Sequence, residues 1–210
     1  MRVQSRWLPV AVSAVVLVAA CDDRPGGPSP VPAPDASGAP AITSVSPPDG
    51  FAGQPIIVNG TGFVGGATLT LGGATADNVS AGPTAVSGTI PPHPGGPVDV
   101  VVTNPDGRSA TRAGGFTYMT VTLTVSPNAV GPGEQISVSW AAPGRLRTSD
   151  WIGLFAVGVP NTSYDEGLWQ YTVSPSGTMT FAAPGPGDYE FRYLLDDGYL
   201  DVARAAVAVR

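Results

Sequence analysis

Ile56-Ile57-Val58-Asn59-Gly60-Thr61-Gly62-Phe63 is the stretch on which the reading of this chain turns. A short apolar run leads into Gly-Thr-Gly. Gly60 and Gly62 permit backbone angles that a β-carbon forbids, so the chain bends around Phe63 as a core plug. The same pattern recurs on both sides. Ile42-Thr43-Ser44-Val45-Ser46 ends at Pro47-Pro48-Asp49-Gly50, and Thr68-Leu69-Thr70-Leu71 ends at Gly72-Gly73. Val86-Ser87-Gly88-Thr89-Ile90 ends at Pro91-Pro92, and Val98-Asp99-Val100-Val101-Val102-Thr103 ends at Asn104-Pro105-Asp106-Gly107. Phe116-Thr117-Tyr118 closes the set. Such runs, punctuated by turn residues every 8–12 positions or so, predict an all-β sandwich or barrel. No stretch shows the 3.6-residue apolar period of a helix.

The second half opens with Thr122-Leu123-Thr124-Val125-Ser126-Pro127, an echo of Ile42 to Pro47. The echo is read as a shared need for an opening strand and turn, since the rest of the two halves does not align. Gly131-Pro132-Gly133-Glu134 is a turn. Ile136, Val138 and Trp140 alternate along one side of a strand. Asp150 to Phe155, Thr178 to Phe181 and Tyr189 to Leu195 are further strands. Asp196-Asp197-Gly198 reads as a hairpin turn into Val202 to Val209.

Taken in order, Pro40 to Pro47, Gly53, Ile57 to Phe63, Val98 to Gly107 and Phe116 to Tyr118 resemble an IPT/TIG domain. The resemblance implies an immunoglobulin-like fold. It implies no activity, because such domains occur as spacers, binding modules and dimerisation units. Asp150 to Phe155 together with Tyr189 to Gly198 resembles the SKICH-type sandwich and its bacterial immunoglobulin-like relatives, which in eukaryotes serve targeting and protein contacts. The expected architecture is all-β. Two tandem immunoglobulin-like β-sandwiches, 41–118 and 120–210, follow a signal peptide at 1–20 and a disordered Pro/Gly-rich tether at 21–40.

The N-terminus fixes the expected compartment. Arg2 and Arg6 precede an uncharged run from Trp7 to Ala20. These are the marks of a secretory signal, and the run is shorter than the ~20 residues of a spanning helix. Val18-Ala19-Ala20-Cys21 resembles the lipobox of bacterial lipoproteins. That resemblance implies a diacylglyceryl thioether on Cys21 and an acylated amino group. Two or more acyl chains anchor stably where one does not. Cys21 is the only cysteine, so no disulfide can form within the chain and packing alone must hold the folded part. Asp22 to Pro40 carries six prolines and no aromatic residue. It cannot bury enough surface to fold, and as extended polyproline II it would hold the body up to roughly 60 Å from a bilayer.

Composition excludes some partners. The formal charge is −6, and removing Arg2 and Arg6 takes it to about −8. All ten basic residues are arginine, and none forms a basic stripe, which excludes nucleic acid. An acidic body is repelled by anionic headgroups. The lipid on Cys21 is therefore the expected membrane contact, and the expected location is the bacterial cell envelope, on the extracytoplasmic side.

Candidate chemistry is sparse. His93 is the only histidine, and a zinc site or catalytic triad would need partners for it. Asp196, Asp197 and Asp201, with the pair Asp165-Glu166, offer oxygens for calcium or an acid–base pair for glycoside hydrolysis. Asp-Gly is also what a tight hairpin needs. No catalytic residue, metal or cofactor is predicted. Trp140 and Trp151 are assigned to the core, and Asp150 and Arg192 to an exposed cross-strand pair. Trp169 and Tyr171 fall in the polar, loop-like stretch 161–171 and are the candidate ligand-binding residues, because exposed aromatics stack on sugars or anchor protein contacts. The expected function is non-enzymatic display of immunoglobulin-like modules for structural or protein-binding roles. A carbohydrate-binding module and an accessory subunit of an extracytoplasmic enzyme are the alternatives.

Overall fold

The computed structural model of the chain describes residues 38–144 and 149–210. The signal segment, Cys21 and the tether as far as residue 37 lie outside the described residues. The first half contains β1 (Ala41–Ser46), β2 (Asp49–Gly50), β3 (Pro55–Thr61), β4 (Thr68–Leu71), β5 (Ala74–Thr75), β6 (Asp77–Ala81), β7 (Ala85–Thr89), β8 (Gly96–Thr103) and β9 (Ser109–Tyr118). They form two sheets, ordered β1-β3-β7-β6 and β2-β9-β8-β4-β5. Alternation decides which side chains enter the core. Ile56 and Val58 of β3 meet Val98, Val100 and Val102 of β8 and Leu69 and Leu71 of β4, with Phe63 and Phe116 buried among them.

The Gly60-Thr61-Gly62 bend divides its labour between space and angle. A β-carbon on Gly60 would lie 2.0 Å from the Ala41 carbonyl oxygen and 2.4 Å from the Phe63 ring. Gly60 is therefore needed for room, not for an unusual angle. Gly62 does adopt a left-handed φ of 70°, against the backbone of Gly38 and Ala39. The buried Asn104 fastens this bend. Its Nδ2 donates to the Gly62 carbonyl at 2.8 Å, and its Oδ1 accepts from the Val64 amide at 3.2 Å. The residue that opens the β8–β9 turn is thus also the strut under the Phe63 bend.

The second half contains β10 (Thr122–Ser126), β11 (Ala129–Val130), β12 (Gln135–Ala141), β13 (Trp151–Ala156), β14 (Trp169–Tyr171), β15 (Ser176–Ala182), β16 (Gly187–Leu194) and β17 (Asp201–Val209). Its sheets are ordered β10-β12-β15 and β11-β17-β16-β13-β14. The two halves do not align as sequences, but their strand orders correspond. In each, the opening strand pairs antiparallel in one sheet. A cis X-Pro bond follows, at Ser46-Pro47 and at Ser126-Pro127. The next short strand then joins the other sheet, parallel to the last strand. The echo seen in sequence marks this change of sheet.

Each half has its own core, and one buried side chain of the first enters that of the second. Phe51 belongs to the first half, yet it is buried in the apolar cluster of the second, with Ile136, Val138, Ile152 and Phe191. Met119 and Leu200 pack against the same cluster. Truncating a buried Phe costs about 3–5 kcal/mol through lost transfer energy and a residual cavity. Phe51→Ala is expected to lower stability by about that amount in denaturant titration. Val173→Ala, at a side chain 75% exposed, should stay within about 0.5 kcal/mol.

Candidate functional site, an aromatic pocket

Strand β13 is buried on both faces. Ile152 and Leu154 point into the core between the sheets. Trp151 and Phe155 point the other way and form a smaller cluster with Leu194, against which Val159 and Trp169 pack. Trp151 is buried as expected, at 5% exposed, in this smaller cluster and not in the one between the sheets. Trp140 does sit in the core between the sheets, its Nε1 donating to the Ser174 carbonyl at 3.1 Å. Gly153 makes the outer layer possible. A β-carbon there would come within 2.9 Å of the Trp151 ring and 3.0 Å of the Phe155 ring.

Arg192 binds the covering loop to this face. It lies on β16 opposite Gly153, is 1% exposed, and its guanidinium sits 4.4 Å over the Phe155 ring. It pairs with Glu190 at 2.7 Å and donates to Asn161 Oδ1. Asn161 Nδ2 donates in turn to the Tyr199 carbonyl and to Asp201 Oδ1, both at 2.7 Å. Arg204 closes the network on Glu190 at 2.8 Å and on Asp201 at 2.6 Å. Burial pushes the Asp201 carboxyl up, but hydrogen bonds from Arg204 and Asn161 outweigh it and hold the group below the usual value. The expected Asp150–Arg192 pair does not form, and neither residue is exposed. Asp150 instead accepts from the Tyr193 hydroxyl and the Asp196 amide, both at 3.0 Å.

Above this layer Trp151, Tyr164, Trp169, Tyr171 and Tyr199, with Asp197, line a pocket of about 120 Å³. Trp151 is nearly covered, whereas Tyr164, Tyr171 and Tyr199 are 39%, 42% and 49% exposed. Most of the rings stand across one another, with Tyr164 and Tyr199 nearer to parallel at 32°. Trp151 meets Tyr164, Trp169 and Tyr199 at interplanar angles of 64°, 74° and 86°, with centroids 5.4, 5.9 and 6.5 Å apart. Tyr164 and Trp169 are 6.3 Å apart at 85°.

Four segments supply these groups. Trp151 comes from β13. Trp169 and Tyr171 come from β14, a short edge strand where the sequence predicts a loop, paired so that Trp169 faces Gly153 and Tyr171 faces Trp151. Tyr164 comes from the β13–β14 connection that Asn161 fastens. Asp197 and Tyr199 come from the β16–β17 turn. Asp196 and Asp197 both adopt left-handed φ values of 52° and 57°, and the Gly198 amide closes the turn on the Leu195 carbonyl at 2.8 Å. This is the primed geometry that suits a hairpin and that Asp tolerates. The Asp197 amide donates to the Ser149 carbonyl at 2.7 Å, which fixes the turn beside the start of β13.

The structure places the candidate ligand-binding residues Trp169 and Tyr171 beside each other, centroids 5.0 Å apart, and sets Trp151, Tyr164, Asp197 and Tyr199 around them. The signal available for the tyrosines was the same one that singled out Trp169: aromatic residues inside turn-rich stretches. The remaining candidates disperse. Asp201 is held by Arg204 and Asn161, and Asp165 Oδ1 accepts from the Gly167 amide at 3.0 Å. His93 stacks on Tyr118 at 4.9 Å with its Nδ1 2.8 Å from the Pro94 carbonyl oxygen. Among the described residues no group of three potential metal ligands converges.

Tyr171 donates to Asp197 Oδ1 at 2.5 Å. That hydrogen bond raises the phenol above its ordinary value, with smaller contributions from burial and from the Asp197 charge. Replacing Asp197 by Ala should move one tyrosine back toward ordinary titration near pH 10 or so. Ultraviolet titration of the phenolates reads this directly, and superimposable curves for the two proteins would refute the coupling.

The family match covers the first sandwich, whereas the similar solved structures span both halves. Residues 40–118 match the family model of the IPT/TIG domain. No curated protein matches the chain. Among solved structures it is similar to the gamma-CGTase of an alkalophilic Bacillus clarkii, at 18% identity and a TM-score of 0.37, over 83% of this chain and 26% of that one. It is also similar to SGBP-B of the Bacteroides ovatus mixed-linkage glucan utilization locus, in complex with a mixed-linkage heptasaccharide (16%, TM-score 0.34, 83% of this chain and 46% of that one). A third is SGBP-B from a complex xyloglucan utilization locus in Bacteroides uniformis (13%, TM-score 0.34, 81% and 73%). The chain therefore spans about a quarter and just under half of the first two of these proteins. Residues 40–118 are an IPT/TIG domain of immunoglobulin-like fold, and the aromatic pocket belongs to the sandwich that follows it.

Proposed function

We propose that this chain is a non-enzymatic, lipid-anchored envelope protein that holds a ligand in the aromatic pocket of its second sandwich. In this reading residues 41–118 serve mainly as a spacer and residues 120–210 carry recognition. One observation carries it: exposed aromatic rings from separate segments converge on one concavity with a single carboxylate. Exposed aromatic surface costs free energy in water at about 25 cal/mol per Å². Rings kept half-exposed around a hollow therefore mark a place that something else covers. Among the described residues the lining offers aromatic faces, phenol hydroxyls and one carboxylate, groups that hold and orient a ligand.

Carbohydrate is the second reading, favoured by the exposed Tyr171 ring beside the half-buried Trp169. The full chain, in a polyoxyethylene detergent, can be screened against glycan arrays and panels of small ligands. Trp169→Ala is expected to weaken whatever binds by about tenfold or more, as loss of an aromatic anchor does, with circular dichroism unchanged. Ligands held equally by both proteins would remove the pocket from the function, and reproducible turnover of any substrate would overturn the non-enzymatic reading. The anchor is tested separately. Wild-type chain expressed in a bacterial host should take up a palmitate analogue and sediment with membranes, and Cys21→Ser should do neither. A wild-type chain that stays unlabelled would refute it.

A further inference from the structure

Resting on the reading of the pocket as a ligand site, we infer that its ligand carries a methylated ammonium group, of the choline or trimethyl-lysine kind. The first argument is shape. A sugar face stacks on a flat platform, and Trp151, Tyr164 and Trp169 do not form one: they stand at 64°, 74° and 85° to one another with centroids 5.4, 5.9 and 6.3 Å apart. Only Tyr164 and Tyr199 lie closer to parallel, at 32°. A cation is attracted wherever it sits over a ring face within ~6 Å of the centroid, so a compact cationic group needs no shared plane.

The second argument is charge. Among the described residues the pocket has one charged lining residue, the carboxylate of Asp197. Asp197 uses Oδ1 to accept from Tyr171, and among the described residues no donor reaches its Oδ2. The two consecutive left-handed residues of the turn hold this carboxylate at the pocket. Asp165 and Glu166 are exposed in the connection that carries Tyr164, which adds negative charge beside that wall of the pocket.

The third argument is hydration. A methylated ammonium has few or no N–H donors to satisfy, so an aromatic wall that accepts no strong hydrogen bond costs it little. A primary ammonium in the same place could place one N–H on Asp197 and would lose the water on its other donors against the ring walls.

The test uses the full chain in polyoxyethylene detergent, with choline chloride as the probe and 3,3-dimethyl-1-butanol, its uncharged isostere, as the control. Calorimetry and the fluorescence of Trp151 and Trp169 both report occupancy. Saturable choline binding, about tenfold or more tighter than the isostere, is expected if the cation is what the rings recognise. Trp169→Ala should abolish it, and Asp197→Asn should weaken it severalfold while leaving the isostere unchanged. Phosphatidylcholine vesicles and a trimethyl-lysine peptide, each competed with free choline, then assign the source of the group. Equal binding of choline and isostere overturns the inference. So does a Trp169-dependent glycan ligand with no choline binding, and that result would leave the pocket as the ligand site. Absence of any Trp169-dependent ligand would remove both readings together.

Discussion

The site depends on one buried charge. Arg192 sits at 1% exposure on the outer face of a sheet, and a guanidinium taken out of water is tolerated only when its donors are matched. Glu190 supplies the countercharge, Asn161 accepts from the fork, and the Phe155 ring lies beneath it. Each partner belongs to a different part of the second sandwich. Through Asn161 the long β13–β14 connection is held down, and through the Tyr199 carbonyl and Asp201 the β16–β17 turn is joined to it. Tyr164 and Tyr199 take their places because of this network, although neither side chain takes part in it.

The pocket therefore combines a rigid base with fastened edges. Trp151 and Trp169 ride on paired strands, in a register fixed by backbone hydrogen bonds. Tyr164, Asp197 and Tyr199 ride on turns that would move freely without anchors. Asp150 serves the same end from below, since its carboxylate fixes the amide of Asp196 and so the turn that presents Asp197. Two buried polar residues, Asp150 and Arg192, thus position a site that neither touches.

Much of the fold was legible in the sequence because a half-buried strand writes its orientation as alternation. Ile56 and Val58, Val98 to Val102, and Ile136 to Trp140 could each be assigned a face from spacing alone, and the glycine and proline turns bounded them. Trp151 to Phe155 could not be oriented this way. A strand covered on both faces reads as an unbroken apolar run, so nothing in it tells which side of β13 the tryptophan takes. Asp196-Asp197-Gly198 was readable as a turn, but not as a turn that brings a carboxylate to aromatic residues of three other segments. Gly60 was readable as a required glycine for a reason other than the actual one. The Ala41 carbonyl and the Phe63 ring fill the place of its β-carbon, and a contact between distant parts of the chain leaves no local trace.

The matching strand orders of the two halves carry one more consequence. The hairpin β4–β5 is closed by Gly72 and Gly73, whereas its counterpart β13–β14 is closed by residues 157–168. The same architecture thus appears once with a bare corner and once with a furnished one. The added connection is not independent of the framework: Asn161 near its start matches the buried Arg192, and Leu168 at its end packs against the inter-sheet core. The furnished corner is thus tied to the sheet at both ends. Change that spares the sandwich is confined to the stretch between those two ties.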